Sequence, residues 1–135
     1  VAPVVRGEAD YVKGNRFASP DIGRMPKARR VGGALFSWLT SVAIRESVSD
    51  TQCGYTALRR NALHEQELLA LWPSYGYPND LLGVLAAKGL RIAQVPVKTI
   101  YSGERSDLKL KHLPPILFLV VRAGVRVRQA RRRAA

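Results

Sequence analysis

Four stretches carry side chains able to hold phosphate or move a proton. Lys13-Gly14-Asn15-Arg16 closes a strand-like run and delivers an arginine into a loop. Arg24, Lys27, Arg29 and Arg30 precede a helix-like segment. An arginine there can grip phosphate oxygens through two parallel hydrogen bonds, a geometry that lysine lacks. Asp50-Thr51-Gln52-Cys53-Gly54-Tyr55 joins a carboxylate to small polar residues and a glycine, which suits a loop that approaches a ligand closely. Asp80 stands at a helix start, where the helix dipole favours an ionised carboxylate. Taken singly, each stretch has a plainer explanation: a turn with a surface arginine, a solvated charge run, a cap for the next segment, a capping box.

The elements that must position these groups follow from periodicity and turn chemistry. Ala9 to Gly14 reads as a strand, and Ser19 to Pro26 as a loop. Arg29 to Arg45 reads as a helix whose Leu35, Trp38, Leu39 and Val42 share the face expected to meet the core. Asp50 to Arg60 is a turn or short strand leading into a helix, with Asn61 the cap of a leucine-rich stretch that ends at Trp72. Asn79 caps a further helix carrying Leu81, Leu82, Leu85 and Ala86, and Gly89 stops it. Arg91 to Tyr101 is extended, and Pro114-Pro115 opens a last helix, apolar to Val121 and arginine-rich from Arg122. Trp38 and Trp72 are expected in the core. His64 and His112, far apart in the chain, are expected as surface or packing residues. This order predicts an α/β fold with too few strands to close a sheet, hence a domain lacking its other half.

Composition narrows the function classes. With 47% hydrophobic and 24% charged residues the chain is globular, which excludes disordered and collagen-like classes. The net charge of +12 calls for an anionic partner. It is uneven: Val1 to Glu104 holds 13 basic and 9 acidic residues, Arg105 to Ala135 holds 9 and 1. One cysteine, Cys53, rules out an internal disulfide and a cysteine-based metal cluster, and fits a reducing compartment. The apolar run Ile116 to Val121 is too short for a membrane span, and no signal pattern opens the chain. The start at Val1-Ala2-Pro3, without Met, predicts a processed chain or part of a longer one.

The order of the blocks carries more than any block alone. Gly14-Asn-Arg-Phe17 comes first, then a basic loop and helix, then Asp50-Thr-Gln-Cys-Gly-Tyr-x-Ala-x-Arg-Arg60. Tyr75-Gly-Tyr-Pro-Asn-Asp-Leu-Leu82, Val95-Pro-Val97 and Tyr101-x-Gly-Glu-x-Ser106 follow. From about Ala9 to Leu113 this series resembles the C-terminal half of family 2 glycosyltransferases. It is most similar to the bacterial branch related to dolichyl- or polyprenyl-phosphate mannose and glucose synthases. The resemblance implies residues 1–113 as the acceptor-side half of a GT-A-type, Rossmann-like domain; residues 114–135 read, separately from it, as a basic amphipathic helix.

Such enzymes transfer a sugar from a nucleotide-sugar with inversion, and bind Mg or Mn through an Asp-x-Asp motif. This chain has no such motif, so the resemblance places the metal ligands mostly outside it and leaves activity of this part alone in question. It further implies Asp80 or Asp50 as base, with Asp50 alternatively orienting arginines. Arg16 and Arg30 are implied as phosphate contacts, with Arg29 an alternative to Arg30, and Arg105 and Ser106 as members of an acceptor loop. The expected partners are a nucleotide-sugar, a polyprenyl or dolichyl phosphate, and an anionic membrane surface on the cytoplasmic face. There the final helix would lay Ile116 to Val121 into the interface and its arginines on headgroups; the equal alternative is a core helix followed by a solvated basic end. The competing readings are a basic nucleic-acid-binding module, disfavoured by 7% aromatics and no binding motif, and an inactive fragment.

Overall fold

The computed structural model describes residues 1–98 and 110–135. At its centre lies β1 (Tyr11–Asn15). On one side it pairs antiparallel with β2 (Thr56–Leu58), Tyr11 opposite Leu58. On the other it pairs parallel with β3 (Ile92–Pro96), Tyr11 opposite Ile92 and Gly14 opposite Val95. The result is a three-stranded mixed sheet of order β2-β1-β3, so the α/β expectation holds at that level.

Five helices accompany the sheet among the described residues: α1 (Ala2–Val5), α2 (Lys27–Ile44), α3 (Glu65–Leu69), α4 (Tyr77–Ala87) and α5 (Leu113–Ala134). The core gathers Tyr11 from the sheet, Ile44 from the end of α2, Val48 from the segment after it, Leu82 and Leu85 from α4, and Ala123 and Val127 from α5. No described helix is long and apolar enough to cross a membrane.

Close approach of α4 and α5 depends on Gly83. A Cβ there would fall 2.5 Å from Ala123 Cβ and 2.7 Å from Ala123 Cα, backbone that cannot step aside without moving the helix. Gly83→Ala is therefore expected to destabilise by about 1–3 kcal/mol, read as a lower urea midpoint at unchanged m-value.

Three local expectations change. Asn61 caps nothing: α3 begins after His64, whose amide donates to Glu67 Oε2 at 2.8 Å. Asn79 lies inside α4, which starts after Gly76, and is buried rather than capping. The apolar stripe of α2 faces outward: Trp38 is 61% exposed, while Phe36, Ser37, Thr40 and Ile44 are buried. Hydrogen bonding explains this choice of face. Ser37 Oγ accepts from Thr51 N at 3.0 Å, and Ser41 Oγ donates to Val48 O at 3.1 Å and accepts from Val48 N at 3.0 Å. Facing these hydroxyls outward would strand the loop's backbone groups in the interior.

Candidate functional site

Strand β1 hands the chain to a turn shaped by Asn15, whose Oδ1 accepts from Phe17 N at 3.0 Å. That turn points Arg16 at Asp50. Arg16 Nε and NH2 donate to Asp50 Oδ2 and Oδ1 at 2.7 and 2.9 Å, and Arg16 N adds a third bond to Oδ2 at 3.0 Å. The carboxylate is buried and the guanidinium side chain retains 20% exposure. Asp50 thus holds a cation just past the end of the sheet's central strand in one orientation, the two-pronged geometry that only arginine supplies.

The segment Asp50–Cys53 is fixed from three further directions. Ser37 of α2 takes the amide of Thr51. Gln52 Nε2 donates to Asn79 Oδ1 at 3.2 Å, tying the loop to α4. Lys13 Nζ, fully buried, donates to Cys53 O at 2.8 Å. Burial lowers the Lys13 pKa from 10.5 to about 8, outweighing the attraction of Asp50. In the window between these values the unfolded chain holds the additional proton, so stability should rise as pH increases through it. Relative to Lys13→Met, the protein is expected to gain roughly 2–3 kcal/mol across that window, read from urea unfolding at its two ends.

Asp80 forms a separate cluster. Its side chain is fully buried in the first turn of α4. Oδ2 accepts from Trp72 N at 3.1 Å. Oδ1 pairs with Arg126 and lies 3.6 Å from Arg122 Nε, two arginines one turn apart on α5. A third aspartate repeats the pattern: Asp10 accepts from Arg91 N at 2.9 Å, pairs with Arg91 Nε at 3.2 Å and with Arg59 at 3.0 Å. The bonds from Arg91 hold its carboxyl below the usual carboxylate range.

The structure therefore joins Arg16 and Asp50, and sets Asp80 apart with α5. Arg30 is exposed on the first turn of α2, and Arg29 is half-buried beside it. Arg105 and Ser106, with the rest of the expected loop from Tyr101, lie outside the described residues up to Lys109. His112 stacks on Tyr75, ring centroids 4.0 Å apart and planes 16° from parallel. Of the two readings of the final helix, its start matches the core one. Ile116, Leu119 and Val120 are buried in the protein rather than available to an interface, and Arg122 and Arg126 turn inward to Asp80.

Asp50 and Asp80 share one feature that bears on proton transfer. Each is buried, and both oxygens of each already accept charged or backbone donors. Among the described residues no three His, Cys, Asp or Glu side chains gather to hold a metal. Lys13 and Gln52 lie within stretches that the sequence singles out, and Asn79 beside Asp80, but the sequence assigns none of the three a role in the site. A lysine inside a strand was the available signal for the first.

Comparison with known proteins gives two informative relatives. The UDP-N-acetylglucosamine–dolichyl-phosphate N-acetylglucosaminyltransferase of Methanococcus voltae is 28% identical over 103 residues, 76% of this chain and 41% of that protein. The dolichyl-phosphate hexose transferase of Haloferax volcanii is 35% identical over 89 residues, 65% of this chain and 37% of that protein. The chain spans about two fifths of the length of these curated relatives. No protein-family profile matches it, and no solved structure does. The chain resembles, in sequence, glycosyltransferases that act on dolichyl phosphate.

Proposed function

We propose that this chain is the acceptor-side part of a family 2, GT-A-type glycosyltransferase that moves a sugar from a nucleotide-sugar to a polyprenyl or dolichyl phosphate with inversion. The enzyme would act peripherally at the cytoplasmic face of a membrane. Sequence similarity to dolichyl-phosphate transferases supports the reaction class. A mixed three-stranded sheet with helices is what part of a Rossmann-like domain would contribute.

One observation supports the choice of acceptor: Asp50 and Asp80, the two carboxylates that the sequence reading offers as bases, are buried and bonded to arginine. A hydroxyl acceptor must lose a proton as it attacks and needs a base. A phosphate monoester is largely ionised near neutral pH and needs none. In the proposed reaction a phosphate oxygen of the acceptor forms the new bond to the anomeric carbon. The bond from that carbon to the nucleoside diphosphate breaks, and its electron pair leaves with the diphosphate. Arg16, braced by Asp50, and Arg30 at the start of α2 would steady phosphate oxygens during this exchange. A divalent ion, where the complete enzyme binds one, would neutralise the leaving diphosphate.

The test is the product. The intact enzyme, given labelled nucleotide-sugar and polyprenyl phosphate, should yield a glycosyl phosphopolyprenol whose anomeric configuration is opposite to that of the donor. Release of free sugar alone, or a product of retained configuration, would refute the proposal.

A further inference from the structure

Lys13 sits at the middle of the central strand, on the same face as the core residue Tyr11, and is fully buried. Its neighbours across the sheet are Thr56 on β2 and Gln94 on β3, both uncharged. Nζ donates to Cys53 O at 2.8 Å, so its bonded partner is a carbonyl rather than a carboxylate. Burying an amine on one neutral acceptor costs stability that a methionine of similar length would not. A charge placed so poorly for packing points to a use beyond packing.

A count of charge gives that use. Arg16 and Asp50 form a one-to-one pair, with both carboxylate oxygens bonded to one guanidinium. Seen from a phosphate, such a pair is a dipole whose two fields largely cancel. Lys13 lies behind it, since its acceptor Cys53 is three residues beyond Asp50 in the same loop. Lys13, Asp50 and Arg16 together carry +1, and without the lysine they carry zero. Burial also keeps the field of the ammonium from being screened by water and salt.

The groups facing Lys13 act on its charge in turn. After burial, which opposes the ammonium, Cys53 and Asp50 favour it and Arg16 opposes it. Tyr11, two residues earlier on the same face, has its hydroxyl pushed well above the usual tyrosine range by burial and stays neutral.

We infer that Lys13 is a positioning residue for the acceptor phosphate, acting through the Asp50–Arg16 pair. Its ammonium braces the Cys53 carbonyl and leaves the pair's surroundings with a net positive charge. The inference rests on the reading of Arg16 as a phosphate contact. Affinity for the acceptor phosphate then depends on a lysine that phosphate does not touch. A proton on Lys13 and phosphate at Arg16 favour one another, and that coupling is reciprocal.

The test follows the intact enzyme's KM for polyprenyl phosphate between about pH 7 and 9, where the acceptor phosphate is largely a dianion. In the parent, KM should rise about fivefold as Lys13 loses its proton, with kcat changed less than about twofold. Lys13→Met and Lys13→Gln should start near the raised KM and stay flat across the range. Glutamine can still donate to Cys53 O, so it separates charge from bracing. Cys53→Ala keeps the carbonyl and should keep the rise. A parent-like KM profile in Lys13→Gln would overturn the inference, as would a rise that persists in Lys13→Met.

A second measurement needs neither donor nor transfer. The carbon-13 resonance of Lys13 Cε in the intact enzyme is identified by its loss in Lys13→Gln. Its titration midpoint should move up by about 0.7 pH unit on adding geranyl phosphate, the same fivefold ratio read from the proton's side. A midpoint indifferent to geranyl phosphate would overturn the inference even in a fully active enzyme. Should the parent fail to transfer to polyprenyl phosphate, the reaction proposed above falls, and this titration still decides the role of Lys13.

Discussion

Asp80→Asn is expected to lower the unfolding free energy by about 3–4 kcal/mol and to loosen α5 before the rest of the fold. The amide keeps the size of the side chain and removes the charge that two guanidinium groups face. Breaking a buried ion pair from one side leaves the other side uncompensated, at about 3–5 kcal/mol. Arg122 and Arg126 are 33% and 25% exposed, so water recovers part of the loss and the lower end of the range applies. A fall of this size is a large share of the roughly 5–15 kcal/mol that holds a domain together. Urea midpoints give the total, and hydrogen exchange along α5 locates it. If Asp80 instead acted as base, Asp80→Asn would leave stability and exchange unchanged while transfer by the intact enzyme collapsed.

The second large effect is at Asp50. Asp50→Ala should cost about 3–5 kcal/mol, because three donors from Arg16 lose a fully buried acceptor. Removing both partners, as in Arg16→Met/Asp50→Ala, should cost less than the sum of the single changes, a coupling visible in a double-mutant cycle. In the intact enzyme Arg16→Lys should lower transfer about as much as Arg16→Met, since lysine keeps the charge but cannot reproduce the two-pronged pair. Full activity in Arg16→Lys would show that only the charge matters there.

These pairings revise what the chain's basicity means. Five arginines, Arg16, Arg59, Arg91, Arg122 and Arg126, serve three buried aspartates. Two of them, Arg122 and Arg126, come from the final helix, where sequence patterning offers an anionic surface or solvent but no aspartate partner. What remains outward is concentrated at the start of α2 and the end of α5, beside exposed apolar side chains of the same helices.

The helices were legible because their apolar spacing is regular: α2, α4 and α5 stand close to where periodicity predicts them. Which face of α2 turns inward was not legible. Leu35, Trp38 and Val42 form the more apolar stripe, yet Ser37, Thr40 and Ser41 lie on the side that bonds the Asp50 loop or packs beneath it. Periodicity reports that a face exists; only the loop's unpaired backbone groups decide where it goes. Arg16 and Asp50 were each singled out, but their pairing spans 34 positions and depends on a turn at Asn15. Asp80 was singled out as an acid at a helix start, and its partners lie 42 and 46 residues further on. Local pattern holds no record of such contacts. The cap at His64 was missed for a related reason, since Asn61 is the better capping residue by type and the chain's path puts it elsewhere.

The central claim is that the acceptor side works by arginine-held phosphate without a proton-accepting carboxylate. Its most direct measurement compares polyprenyl phosphate with polyprenol as acceptors for the intact enzyme, following transfer of labelled sugar as pH is lowered. The account predicts transfer to the phosphate alone, and a decline in rate only where the acceptor phosphate itself gains a proton. Transfer to the alcohol, with a rate that falls as a carboxylate of the enzyme is protonated, would contradict it.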